Sequence, residues 1–238
     1  PLLVEYLQLF ADRYQGTVPL NKVVASLSAY DLFVYAYGYK PGLPQINDLL
    51  SSMFLHAGFF HLAGNMLFLW IFGDNVEHRL GRGIYLLTYL VTGIAATLTF
   101  SLFAGASMTP LVGASGAISG VLGLYAMMFK RNKVKVLFLF FPFFMNVLLI
   151  PVRFAVGFYV LVDNLLPFLL STESGVAYGA HLGGFFSGLI IAVIGERLEW
   201  RLPFAENIER KKSSAKRVRE KSPTSDPFGK ITEAVKRG

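Results

Sequence analysis

A serine, three histidines and an asparagine stand at the openings of apolar segments in this chain. "PLVGASGAISGVLGLYAMMF" (Pro110–Phe129) carries Ser115 between small residues at the head of an uncharged run. "HAGFFHLAGN" places His56, His61 and Asn65 at the head of an earlier run, and "YGAHLGGFFSG" places His181 about one turn inside the last. A serine beside a histidine is the minimum for nucleophilic acyl chemistry. The imidazole takes the hydroxyl proton and later returns one to the leaving group. His61 and Asn65 are four residues apart, hence on one helical face. Paired side-chain donors there suit a developing oxyanion.

These residues need membrane helices to position them. Of the 238 residues 54% are hydrophobic, mean hydropathy is +0.51, and several runs approach the ~20 residues that cross a bilayer. The clear spans are about Phe59–Phe72, ending in the polar "GDNVEHRLGRG"; Ile84–Gly105; Ser115 to "KRNKVK"; Pro151–Leu170, closed by "STESG"; and Val176–Ile194. "VLFLFFPFFMNVLLI" is only about 15 residues long and is interrupted by Pro142, so it is expected to be re-entrant or interfacial. "FADRYQGTVPLNKVVASLSAYDLFVYAYGYKPGLPQ" reads as a loop with an amphipathic, Tyr-rich piece suited to the interface. The chain opens on proline rather than methionine, with no cleavable signal peptide evident. Pro1–Phe10, apolar but short, is expected to be the remnant of a first membrane helix.

Basic residues set the orientation. Arg79 and Arg82 follow the first clear span, Lys130, Arg131, Lys133 and Lys135 follow the third, and 12 of the 22 Lys and Arg lie after Ile194. The opposite loops, "ASMTPLVGA" and "LLSTESGVA", contain neither. The ends of the first, third and last spans are thus expected in the cytoplasm. Their starts, with Ser115, His61 and His181, are expected to open to the outer face. The net charge of +7 reflects the basic tail, read as a solvated cytoplasmic flank that is partly disordered, with no nucleic-acid partner expected. No Asp or Glu occurs in the spans that carry Ser115 and His181, and the nearest outer-side acids are Asp163 and Glu173. A Ser–His dyad is therefore expected rather than a full triad.

Glycines supply the mechanical case. Gly116, Gly120 and Gly123 recur at helical spacing after Ser115, and Gly184 and Gly188 follow His181 at i+3 and i+7. Small residues let membrane helices approach closely. Such approach would bring His181 onto Ser115.

"GASG" opening one membrane helix, "HxxxxHxxxN" opening an earlier one, "MLFLWIFGDNVEHRLGR", and "AHLGGFFSG" in the last together resemble the rhomboid intramembrane serine proteases, of bacterial type, over roughly Leu49 to Ile194. The resemblance implies an all-α, polytopic membrane protein with a six-helix core. It implies an active site in a water-filled cavity open to the outer face of a bacterial inner membrane. It implies Ser115 as nucleophile, His181 as general base, and His61, Asn65 and the Ser115 backbone amide around the oxyanion. His56, Gly113 and Gly116 would support the site, and Gly120, Gly184 and Gly188 would pack the helices. The implied substrates are single-span membrane proteins, cleaved near helix-destabilising small residues at the membrane boundary. No metal or organic cofactor is implied. Two departures stand out. Some members carry a tyrosine four residues after the nucleophile, where this chain has Ser119, so His181 must be oriented otherwise. The stretch 11–50 also lacks tryptophan and aligns poorly with the loop that follows the first helix in that family.

The domain organisation expected is 1–50 as helix remnant plus interfacial loop, 51–196 as the membrane domain, and 197–238 as the basic tail. Blander readings exist for each residue. Ser115 alone reads as a packing residue and His181 as a satisfied interhelical hydrogen-bonding group; their company at matching helix ends reverses that. His56 and His61 as zinc ligands would need partners, and their spacing of five comes with no HExxH, carboxylate or cysteine. A non-catalytic relative that binds membrane clients would lack the nucleophile or the base, and both are present. A small transporter would show internal repeats, and none is seen. The sequence leaves the oligomeric state open.

Overall fold

The computed structural model describes residues 3–4, 6–8, 19–140, 144–170 and 178–198. Pro142, Glu173 and residues 199–238 of the basic tail lie outside the described residues. Of Pro1–Phe10, residues 3–4 and 6–8 are helical, and the Tyr6 ring meets Tyr35 edge-on.

Two short helices follow, α1 (Leu20–Ser26) and α2 (Ala29–Tyr37), so the Tyr-rich piece is helical. Ser28 and Asp31 close a reciprocal capping box at the start of α2. A third, α3 (Asp48–Ser51), runs on as a 3-10 turn through Phe54. The chain then bends by 93° into α4, Phe59–Leu80. The polar stretch "GDNVEHRLG", expected to end the span, is instead helical through Leu80 after a π turn at Leu69–Gly73. Its charges mark where the helix leaves apolar surroundings, not where the helix stops. Next come α5 (Arg82–Ala104) and α6 (Ser115–Met128). Helix α7 spans 152–170 and is interrupted by a second π turn, Leu161–Leu165; α8 is Tyr178–Arg197.

Between α6 and α7 the expected re-entrant segment is an antiparallel hairpin, β1 (Lys133–Phe140) and β2 (Phe144–Pro151), paired from Lys133–Pro151 to Phe140–Phe144. Alternating Lys and Val in "KVKV", with β-branched residues, suits a strand better than a helix.

Among the described residues, α5 and α8 are long and apolar enough to cross a membrane, and the bent α3–α4 pair qualifies as a broken span. Exposed Trp70, Leu86, Leu102, Phe158 and Ile190 give these helices an apolar outer surface. This is the surface that an integral membrane protein presents to lipid.

Helix α6 is the axis of the bundle. Every residue from Gly116 to Tyr125 is buried. It packs against α8 backbone to backbone, because a Cβ on Gly184 would collide with the Gly116 carbonyl and one on Gly188 with the Gly120 carbonyl. On the other side a Cβ on Gly120 would strike the Thr92 side chain of α5. With 14 residues, α6 is only about 21 Å long against a ~30 Å hydrocarbon core.

The loops above α6 are tied down by backbone pairing. Tyr39 and Leu111 exchange both bonds (3.1 and 2.7 Å), Gly42 N donates to Ser107 O (2.8 Å), and Gly113 N donates to Ser52 O (2.9 Å). Buried Lys40 anchors this layer. It donates to the carbonyls of Tyr35 (2.6 Å) and Gly38 (2.8 Å) and lies 3.4 Å from buried Asp48.

Gly184→Ala should therefore lower stability by about 1–3 kcal/mol through overpacking. Gly157→Ala, whose Cβ meets no described atom within 4 Å, should change it by under about 1 kcal/mol, towards greater stability. Thermal unfolding of both variants in detergent checks this; equal melting temperatures would contradict the close approach of α6 and α8.

Candidate active site

The chain descends to Ser115 through Leu111, which pairs with Tyr39, and turns into the helix at Ala114 (φ −70°, ψ −10°). Gly113 adopts φ 125°, a conformation that favours glycine. Its lack of a side chain matters a second time. A Cβ there would lie 2.7 Å from His61 Cε1, 2.9 Å from His61 Nε2 and 3.6 Å from Ser115 Oγ. His61 Nε2 and Ser115 Oγ thus flank the same small space.

Ser115 opens α6. The first bond of this helix runs from Ile118 N to Ala114 O, so the amides of Ser115, Gly116 and Ala117 have no helical carbonyl to donate to. They form the positive end of the helix dipole beside the hydroxyl.

Ser115 Oγ donates to His181 Nε2 at 2.8 Å. The other ring nitrogen, Nδ1, donates to Asn164 Oδ1 at 2.7 Å, and Asn164 Nδ2 donates to the Tyr159 carbonyl at 3.1 Å. Asn164 is buried, at 2% exposure. Three helices, α6, α7 and α8, thus meet in one line of hydrogen bonds. In that line the imidazole carries its proton on Nδ1 and offers its Nε2 lone pair to the hydroxyl.

His61 has the opposite tautomer. Its Nδ1 accepts from Ala57 N at 3.3 Å, which leaves the proton on Nε2, the nitrogen beside Gly113. Asn65 lies one turn further along the same face of α4. It is 7% exposed, and its Nδ2 has no partner among the described residues. His56 stands behind His61, ring centroids 5.4 Å apart and edge-on, with Nε2 buried and likewise unpartnered among those residues. A buried donor without an acceptor is costly, and the Asn65 NH2 is such a donor among the described residues.

The sequence-derived residues therefore fall as follows. Ser115 and His181 are in contact, with Gly113 and His61 against them. Gly116, Gly120, Gly184 and Gly188 form the α6–α8 seam. Ser119 is buried in α6, and no ring stands at its position. The residue that sequence reasoning missed is Asn164. Attention to acidic partners led to Asp163 and Glu173 and passed over the neutral amide next door. A polar amide inside an apolar span was the available signal.

Gly113→Ala should cost roughly 1–3 kcal/mol, because it strains the backbone and drives a methyl into His61. Thermal unfolding reads the loss, and an unchanged melting temperature would contradict this account of Gly113.

The family model for the Rhomboid domain matches residues 44–197. The chain is 33% identical over 176 residues to RHOMBOID-like protein 1 of Arabidopsis thaliana, covering 74% of this chain and 40% of that protein. It is 33% identical over 147 residues to Rhomboid protease GluP of Bacillus subtilis (strain 168), covering 61% and 26%. It is 29% identical over 206 residues to the mitochondrial presenilin-associated rhomboid-like protein of Bos taurus, covering 76% and 50%. The chain thus spans between a quarter and a half of the length of these curated relatives.

Proposed function

The chain belongs to the rhomboid family, and on that premise we propose that it is an intramembrane serine protease that hydrolyses peptide bonds of single-span membrane proteins. The observation that carries this reading is the 2.8 Å contact between Ser115 Oγ and His181 Nε2 at the head of a short, buried helix. The similarity to a relative named a protease supports it.

In this mechanism the Ser115 Oγ–H gives its proton to His181 Nε2 as Oγ bonds to the scissile carbonyl carbon. The carbonyl oxygen becomes an oxyanion, met by the Ser115 amide, His61 Nε2–H and the Asn65 NH2 group. Collapse breaks the C–N bond, and the imidazolium proton passes to the leaving nitrogen. Water then gives one proton to His181 while its oxygen attacks the acyl carbon. Collapse of the second intermediate returns that proton to Ser115 Oγ and releases a carboxyl product. His56 acts behind His61 by packing against it.

A short α6 suits this chemistry. Its N-terminus lies below the membrane surface, where water must enter a cavity and a substrate helix must partly unwind. The small cavity beside Ser115 is lined by Gly113, Gly116, Ala117 and Ala180, among others. Its small size and its lining of small residues suit substrates with small residues at the cleavage point. By the distribution of Lys and Arg the site opens to the outer face with the basic tail in the cytoplasm, and the similarity to a Bacillus subtilis relative supports a bacterial inner membrane as its location.

A fluorophosphonate activity probe tests the proposal in detergent. The wild type should be labelled, while Ser115→Ala and His181→Ala should lose labelling by roughly 10³-fold or more. A wild type that stays unlabelled while folded would overturn the dyad.

A further inference from the structure

We propose that Asn164 is the positioning residue that fixes the tautomer and aim of His181, an inference that rests on the hydrolase reading above. A neutral amide does here the orienting work that serine hydrolases commonly assign to a carboxylate.

The direction of the amide is decided by its second contact. A backbone carbonyl only accepts, so the Tyr159 oxygen, 3.1 Å away, must face the NH2 group of Asn164. That turns Oδ1 towards His181, 2.7 Å from Nδ1. An oxygen acceptor there requires the imidazole proton to sit on Nδ1. The alternative tautomer would set the Nδ1 lone pair against the Oδ1 lone pairs, and would turn an Nε2–H towards Ser115. Asn164 therefore selects the form in which Nε2 can take the Ser115 proton.

The helix is built for this contact. Asn164 lies in the π turn Leu161–Leu165, and its side chain reaches back five residues to Tyr159, the span of a π turn rather than an α turn. Both polar ends of a fully buried amide are thereby satisfied in an apolar helix. After proton transfer the imidazolium has N–H on both nitrogens. Nδ1–H keeps the same acceptor, and the bond strengthens as the ring gains charge. No proton moves to Asn164. A buried carboxylate at this depth would carry a desolvation penalty that the amide avoids.

The test compares wild type, Asn164→Leu and Asn164→Asp in detergent. It reads the second-order rate of fluorophosphonate labelling, the fraction of molecules labelled at completion, and kcat and KM on a single-span substrate. Leu removes the acceptor at similar volume; Asp keeps an oxygen facing Nδ1. Asn164→Leu should label about 10–100-fold more slowly, the worth of one hydrogen bond to a charged ring. Its kcat should fall in parallel, with KM within about twofold. Asn164→Asp should recover most of the rate. A purely structural role would lower the labelled fraction and leave the rate constant of the remaining molecules unchanged, which would overturn the proposal. So would an Asn164→Leu rate within about twofold of wild type. If Asn164→Leu fails to fold, Asn164→Asp decides: labelling close to wild type supports the proposal, and labelling slower by about 10-fold or more overturns it. An unlabelled wild type is a separate result; it would remove the hydrolase reading and this proposal with it.

Discussion

Everything at the site depends on how closely α6 and α8 approach. Gly184 lies on the Gly116 carbonyl and Gly188 on the Gly120 carbonyl, with no room for a Cβ at either crossing. In lipid there is little hydrophobic force to press helices together, so contact comes from backbone packing and polar bonds. The same seam sets His181, three residues before Gly184, onto Ser115, one residue before Gly116. Packing and chemistry share one interface, and a side chain inserted into the first degrades the second.

A second constraint follows from the apolar surroundings. Every polar group taken into them needs a partner or a purpose. Lys40 meets two carbonyls and Asp48, and its layer pairs at Tyr39 with Leu111, on the segment that leads to Ser115. Thr92 and Thr97 bond back to carbonyls of their own helix. Asn164 uses both ends of its amide. Against that economy, Asn65 Nδ2 and His56 Nε2, buried and without a partner among the described residues, are conspicuous. Asn65 suits a group that is negative only for part of a reaction cycle.

Much of this was legible in the sequence. Ser115, His61 and His181 announced themselves as polar residues at three helix openings of matching parity, and the glycine spacing anticipated the seam. Other features were hidden for physical reasons. The hairpin at 133–151 is an apolar run whose length suited a dipping segment, and only the "KVKV" alternation distinguished it. The polar stretch after Gly73 looked like a loop because polarity was taken for the end of the helix. Asn164 depends on a π turn, which shifts the helical period by one residue and so defeats spacing arguments. Its role also becomes visible only once Tyr159 O and His181 Nδ1 are placed on either side of it.

Hydrolysis by Ser115 is read most directly by intact-mass spectrometry of a single-span membrane substrate incubated with the protein in liposomes. Two fragments are expected whose masses sum to that of the substrate plus one water, cut beside a small residue, and only intact substrate with Ser115→Ala. An uncut substrate beside folded wild-type protein, across substrates that carry small residues at the membrane boundary, would contradict it. Fragments that persist undiminished with Ser115→Ala would contradict it equally.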